Sequence, residues 1–167
     1  MLGLFKSDET RQKEYMADSA GVILFTQITV ALEQASNLGD DVVQARLSSF
    51  FAAGYMLGFI RTKLSEIPLS DQELKRYTKR ILSGIFPQSG NKMVFQRYEM
   101  SQLGFGYDEF NAGYTMGSGD ALILTTADDG DGELPNFILT NEFPDPEEYK
   151  KEMEDILEFL EEEENDL

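Results

Sequence analysis

Apolar positions recur at helical spacing along most of the chain. The densest fall into two uncharged stretches of equal length, residues 19–32 (SAGVILFTQITVAL) and 47–60 (LSSFFAAGYMLGFI), placed almost symmetrically about Gly39. Each is apolar on nearly every side, which a helix tolerates only when other elements surround it. The first predicts a helix from Ser7 or Asp8 to about Ser36. The second predicts a helix that opens at Asp40 or Asp41, where acids suit the positive end of the dipole, and closes with Arg61 and Lys63 at the negative end. A reversal through Asn37 to Asp41 makes these an antiparallel hairpin in which facing residues sum to roughly 79. That register sets Gly21 against Gly58, where two missing Cβ atoms allow close approach, and Phe25 against Gly54, which leaves a hollow for the ring.

Further along, Ser70-Asp71-Gln72-Glu73 is a capping box, and Leu74, Tyr77, Thr78, Ile81 and Leu82 follow on one helical face. The other face carries Lys75, Arg76, Lys79 and Arg80, a pattern usual for a solvated helix surface. Asn91 opens a helix that Gly104 ends, with Phe95, Tyr98, Met100 and Leu103 as core candidates. A helix is expected from Asp108, with a break near Gly117-Ser118-Gly119 and then either a helical turn through 121–124 or a short strand at 121–126. Gly113 and Gly117 repeat a small-xxx-small spacing suited to packing on the hairpin. Residues 127–144 read as a polar loop followed by a short apolar anchor, Phe137-Ile138-Leu139. Asp145-Pro146-Glu147-Glu148 is a helix start, with a cap and then a proline at the first helical position. Tyr149, Met153, Ile156, Leu157 and Leu160 form the apolar stripe of that last helix.

The expected fold is therefore all-α: about six helices built on an N-terminal antiparallel helical hairpin. It spans a single domain over residues 1–160, with 161–167 an acidic frayed tail. A chain of 167 residues is long enough for one buried core and short for two. Each uncharged stretch would rise only about 21 Å as a helix against a hydrocarbon core of ~30 Å. Asp18, Glu33, Arg46 and Arg61 bracket the pair, so both read as core helices and no membrane span is expected. Apolar surface around both exceeds what two helices bury between themselves, which makes a homodimer a natural way to cover the rest. The start MLGLFKSDETRQKEY lacks the apolar run and cleavage site of a secretory signal, so a cytoplasmic location is expected.

Composition removes whole classes of chemistry. There is no cysteine and no histidine, which excludes disulfides, thiolate and imidazole metal sites, serine-histidine triads and cysteine nucleophiles. No cofactor is expected, and any catalysis would rest on carboxylates, Lys, Arg, Tyr, Ser or Thr. The formal net charge is −17, and its distribution is uneven. Residues 1–90 hold ten acids and ten bases, whereas 91–167 hold 21 acids against Lys92, Arg97, Lys150 and Lys151. Direct binding to nucleic-acid phosphates requires the opposite sign. A protein partner with a basic surface is the natural counterpart.

These readings lead to a non-enzymatic interaction module, of the adaptor, inhibitor or immunity type, whose acidic C-terminal half meets a basic partner. The partner-binding candidates are Glu147, Glu148, Glu152, Asp155, Glu158, Glu161 and Glu162. The alternative is a small-molecule-binding protein or carboxylate-based enzyme with a pocket at the glycine- and tyrosine-rich stretch 104–120, using Tyr107, Asp108, Glu109, Tyr114 and Asp120. Carboxylates among aromatic rings can acquire raised pKa values and act as acids or bases. A further alternative is a DNA mimic, although such mimics spread their charge over the surface, whereas this charge lies in one half. The weak metal candidate is Asp128, Asp129, Asp131 and Glu133, a run that resembles the centre of an EF-hand. With Gly132 set at the turn glycine, however, Ala127 takes the first ligand position and Ile138 stands where a bidentate glutamate is required. An acidic surface turn explains the run better, and no metal site is expected. Glu148, Glu152 and Asp155 likewise offer only one half of a two-helix carboxylate magnesium site.

Overall fold

The computed structural model describes residues 7–87, 90–124 and 132–165, of which residues 160–165 are described by their backbone alone. Among the described residues there are eight helices and no strands: α1 (Asp8–Gln34), α2 (Asp40–Leu47), α3 (Phe50–Ser65), α4 (Asp71–Ile85), α5 (Gly90–Gln102), α6 (Tyr107–Ile123), α7 (Glu133–Thr140) and α8 (Pro146–Asn165). The all-α expectation holds, and the count differs from six for two local reasons.

The first is the second arm of the hairpin, which is two helices. Ser49 is an extended N-cap whose hydroxyl accepts the Ala52 N–H at 3.1 Å. The Ser48 hydroxyl turns back onto the Gln44 carbonyl at 2.7 Å. Arg97 of α5 donates from Nε to the Ser48 carbonyl at 2.8 Å and stacks over the Phe50 ring, so the break is held from outside. The second is α7, which occupies part of the expected polar loop. The expected interruption of α6 at Gly117–Gly119 is absent, and helix continues through Ile123.

The core is organised around α3, whose residues from Phe51 to Ile60 are buried without exception. The expected register of the hairpin is not the one adopted. Gly21 faces Ile81 of α4, and Phe25 is 52% exposed. Gly54 and Gly58 face α6 instead: a Cβ at Gly54 would stand 2.1 Å from the Phe110 carbonyl oxygen, and one at Gly58 would stand 2.2 Å from that of Tyr114. The arrangement is reciprocal, because a Cβ at Gly113 would lie 2.0 Å from the Phe51 oxygen and one at Gly117 would lie 2.1 Å from the Tyr55 oxygen. Residue numbers rise together across these pairs, so α3 and α6 run parallel, joined by the crossover through α4 and α5. Four glycines thus bring two backbones to a distance at which Cα–H groups face carbonyl oxygens, a weak but repeated attraction. The expected packing of Gly113 and Gly117 on the hairpin is found, and it falls on the second arm, at Phe51 and Tyr55; the partner of Gly54 and Gly58 is α6, where α1 was expected.

The remaining helices wrap this pair. α1 contributes Ala17, Ala20, Ile23, Leu24, Ile28 and Ala31 to the core. It is also the one described helix long and apolar enough to cross a membrane, with 39% of its most apolar window buried inside the fold. α4 starts with the predicted capping box, and Lys13 of α1 donates to Glu73 at 3.1 Å, tying the box to α1. Arg80 pairs with Asp18 at 2.8 Å on the same seam.

Candidate functional site

The acidic last helix is the candidate functional surface, and its attachment begins with its N-cap. Asp145 Oδ1 accepts the backbone N–H groups of Glu147 and Glu148 at 2.9 and 3.2 Å, and Pro146 supplies the first helical position. One stripe docks against α6: Tyr149 and Met153 are buried and Leu157 is half-buried. Glu147, Glu148, Glu152, Asp155 and Glu158 are all exposed on the remaining faces. The docked stripe is narrower than expected, since Ile156 is 37% exposed, and Phe159, outside the expected stripe, is 60% exposed among those acids. The helical backbone continues past Leu160 to Asn165, consistent with the helix propensity of glutamate; Glu161 and Glu162 lie on that extension, and their side chains fall outside the description.

Tyr149 leads into a buried polar cluster. Its hydroxyl donates to Asp120 Oδ1 at 2.7 Å and lies 3.1 Å from the Met116 carbonyl. The Tyr55 hydroxyl of α3 donates to Asp120 Oδ2 at 2.6 Å, and the Glu133 backbone N–H donates to the same oxygen at 2.7 Å. Beside it, Gln27 of α1 accepts the Gly132 N–H at 3.0 Å. Asp120 and Gln27 therefore cap the N-terminus of α7 from two other helices, where a carboxylate also meets the positive end of the dipole. A side chain at Gly132 would displace this cap, because its Cβ would come within 2.5 Å of Gln27 Oε1. The other end of α7 is held as well: Arg46 of α2 donates from Nη1 to the Ile138 and Leu139 carbonyls, each at 2.7 Å. An anion at one end and a cation at the other fix an eight-residue helix that could not persist alone.

Burial governs the titration of this cluster. It pushes the Asp120 carboxyl up, and the two tyrosine hydroxyls and the Glu133 amide pull it partly back. Both tyrosines are driven upward by burial and then by the charge of Asp120. Glu133 is raised by burial and then by Asp120, and its Oε2 is buried without a hydrogen-bond partner. Asp120 is 3% exposed and its three hydrogen bonds all come from the protein. The carboxylate is an internal anchor for α7 and α8 and presents no open face to a substrate.

The five residues of the glycine- and tyrosine-rich stretch are not brought together. Tyr107, Asp108 and Glu109 sit on the exposed first turn of α6, eleven to thirteen residues or about 17–20 Å along the helix from Asp120. Tyr114 lies between, lining an apolar groove shared by α6 and α8. Of the metal candidates, Asp128, Asp129 and Asp131 lie outside the described residues, and Glu133 begins α7 beside Asp120. Among the described residues no group of three or more acids is placed to hold a metal ion.

Sequence reasoning missed Tyr55, Gln27 and Arg46. Tyr55 and Gln27 carried a signal: polar atoms inside otherwise uncharged runs, which burial obliges to find partners. Arg46 carried none beyond its position in the last turn of a short helix. Comparison with protein-family models, curated proteins and solved structures finds no match, so the reading rests on the geometry of this chain.

Proposed function

We propose that this chain is a non-enzymatic, cytoplasmic protein-interaction module that offers the acidic face of α8 to a partner with a basic surface. The observation that carries this is the way α8 is mounted. A single stripe, pinned through Tyr149 to a carboxylate inside the core, holds the helix and leaves its acids in solvent. Phe159 and Ile156 stand exposed among those acids, an apolar centre within a charged rim, the usual composition of a binding patch. The field of the acids would steer a basic partner, and the apolar pair would set how long it stays.

The test is a pull-down with the full chain against a variant in which Glu147, Glu148, Glu152 and Glu158 become Gln and Asp155 becomes Asn. A partner is expected to be retained by the native chain at low salt. It should be lost both from the variant and at about 1 M salt, where the screening length falls to roughly 3 Å. Equal recovery by both chains, or at both salt concentrations, refutes the proposal.

A further inference from the structure

Away from α8, a cavity of ≈ 320 Å³ is lined by side chains of α3, α4 and α5. Its volume is at the lower end of the range for small-molecule sites. Leu57 is fully buried at its base, and Leu74, Phe95 and Tyr98 are half-buried around it. Thr78, whose hydroxyl donates to the Leu74 carbonyl at 2.8 Å, and four charged side chains complete the lining: Arg61 and Lys75 of one sign, Asp71 and Glu99 of the other. Among the described residues, none of the four takes part in an ion pair or a side-chain hydrogen bond, although ion pairs form readily on the neighbouring α1–α4 seam. Arg61 is half-buried and lies with its guanidinium 5.4 Å from the centre of the Tyr98 ring, a contact that uses the π face and leaves the N–H edges for an acceptor.

The charges around this apolar base select a ligand class. A simple carboxylate would pair with Arg61 and Lys75 but meet Asp71 and Glu99 as like charges. A simple amine would have the reverse fault. A compact molecule carrying both charges next to an apolar body satisfies all four side chains and fills the base. We propose that this cavity binds a small zwitterion with an apolar side chain, a free α-amino acid of the phenylalanine or leucine kind. The carboxylate is held by the Arg61 fork with Lys75 beside it, the ammonium by Asp71 and Glu99, and the side chain lies against Leu57, Leu74 and Phe95.

The probes are L-phenylalanine and L-leucine, with phenylacetate and 2-phenylethylamine as analogues carrying one charge each. They are titrated into the full chain by calorimetry and by amide chemical shifts. At least one amino acid is expected to bind saturably, shifting amides in α4, α5 and the last turns of α3. Each single-charge analogue should bind at least about tenfold more weakly, as should the amino acid to Arg61→Gln. Lys75→Gln, at an exposed position, should weaken binding too and serves if Arg61→Gln fails to fold. Absence of saturable binding by either amino acid, equal binding of the analogues, or shifts confined to other helices overturns the proposal.

Discussion

Replacing Gly117 by alanine adds one methyl group to α6, and the closest atom it meets is the Tyr55 carbonyl oxygen, 2.1 Å away. A carbonyl cannot rotate aside as a side chain can, so restoring an ordinary contact of 3.4 Å requires α3 and α6 to move apart by roughly 1 Å. Such overpacking costs about 1–3 kcal/mol. The same movement stretches the Tyr55 to Asp120 hydrogen bond one turn away, a bond to a charged group worth about 1.5–3 kcal/mol. Against this, alanine gains about 1 kcal/mol of helix propensity over glycine. The net expectation is a loss of about 1.5–5 kcal/mol, or a melting temperature lower by about 3–20 °C in a domain of this size. Gly84→Ala is the matched control: it also lies in a helix, but its Cβ would meet nothing within 4 Å, so propensity alone should raise the melting temperature by about 2–4 °C. Urea and thermal unfolding followed by far-ultraviolet circular dichroism measure both. A Gly117→Ala protein as stable as the native chain, or a Gly84→Ala protein destabilised as much, would refute the close-packing argument.

Other consequences concern charge and capping. Glu133 has its folded pKa raised above 4.5 by burial and by Asp120, so the stability it contributes is fully present below that pH and lost as pH rises through the folded value. Glu133→Gln should therefore melt higher than the native chain at pH 7 and alike near pH 4; a gap that persists in acid contradicts the assignment. Glu73 behaves oppositely, since the Ser70 backbone and hydroxyl groups, and then Lys13, hold it down at about 2. Its contribution is present above 4.5 and lost as pH falls toward 2, so Glu73→Gln should destabilise at neutral pH and have no effect in strong acid, as read from melting curves. Arg46→Ala should lower stability by about 1.5–3 kcal/mol and speed hydrogen exchange throughout α7. Unchanged exchange in α7 would show that the clamp at its C-terminal end carries no energy.

The sequence by itself determined what one turn or one face of a helix can express. The start of α1 near Asp8, the capping box at Ser70, the Asp145-Pro146 start of α8 and the Gly113/Gly117 spacing are all local signals, and all were legible. So were the exclusion of imidazole and thiol chemistry and the segregation of acids into the second half. Ser48 ends one helix and Ser49 begins another inside an uncharged run, where apolar continuity outweighed a serine cap. Tertiary structure alone decided the partner of Gly54 and Gly58. Glycine spacing records that a backbone will come close without recording which one, and a sequence neighbour joined by a short link was favoured over α6, which lies across a long crossover. The role of Asp120 was hidden for a related reason. An acid in a glycine-rich helix looks the same whether it faces solvent or accepts hydrogen bonds from Tyr55, Tyr149 and Glu133, and only the folding of α3, α7 and α8 around one point distinguishes the two.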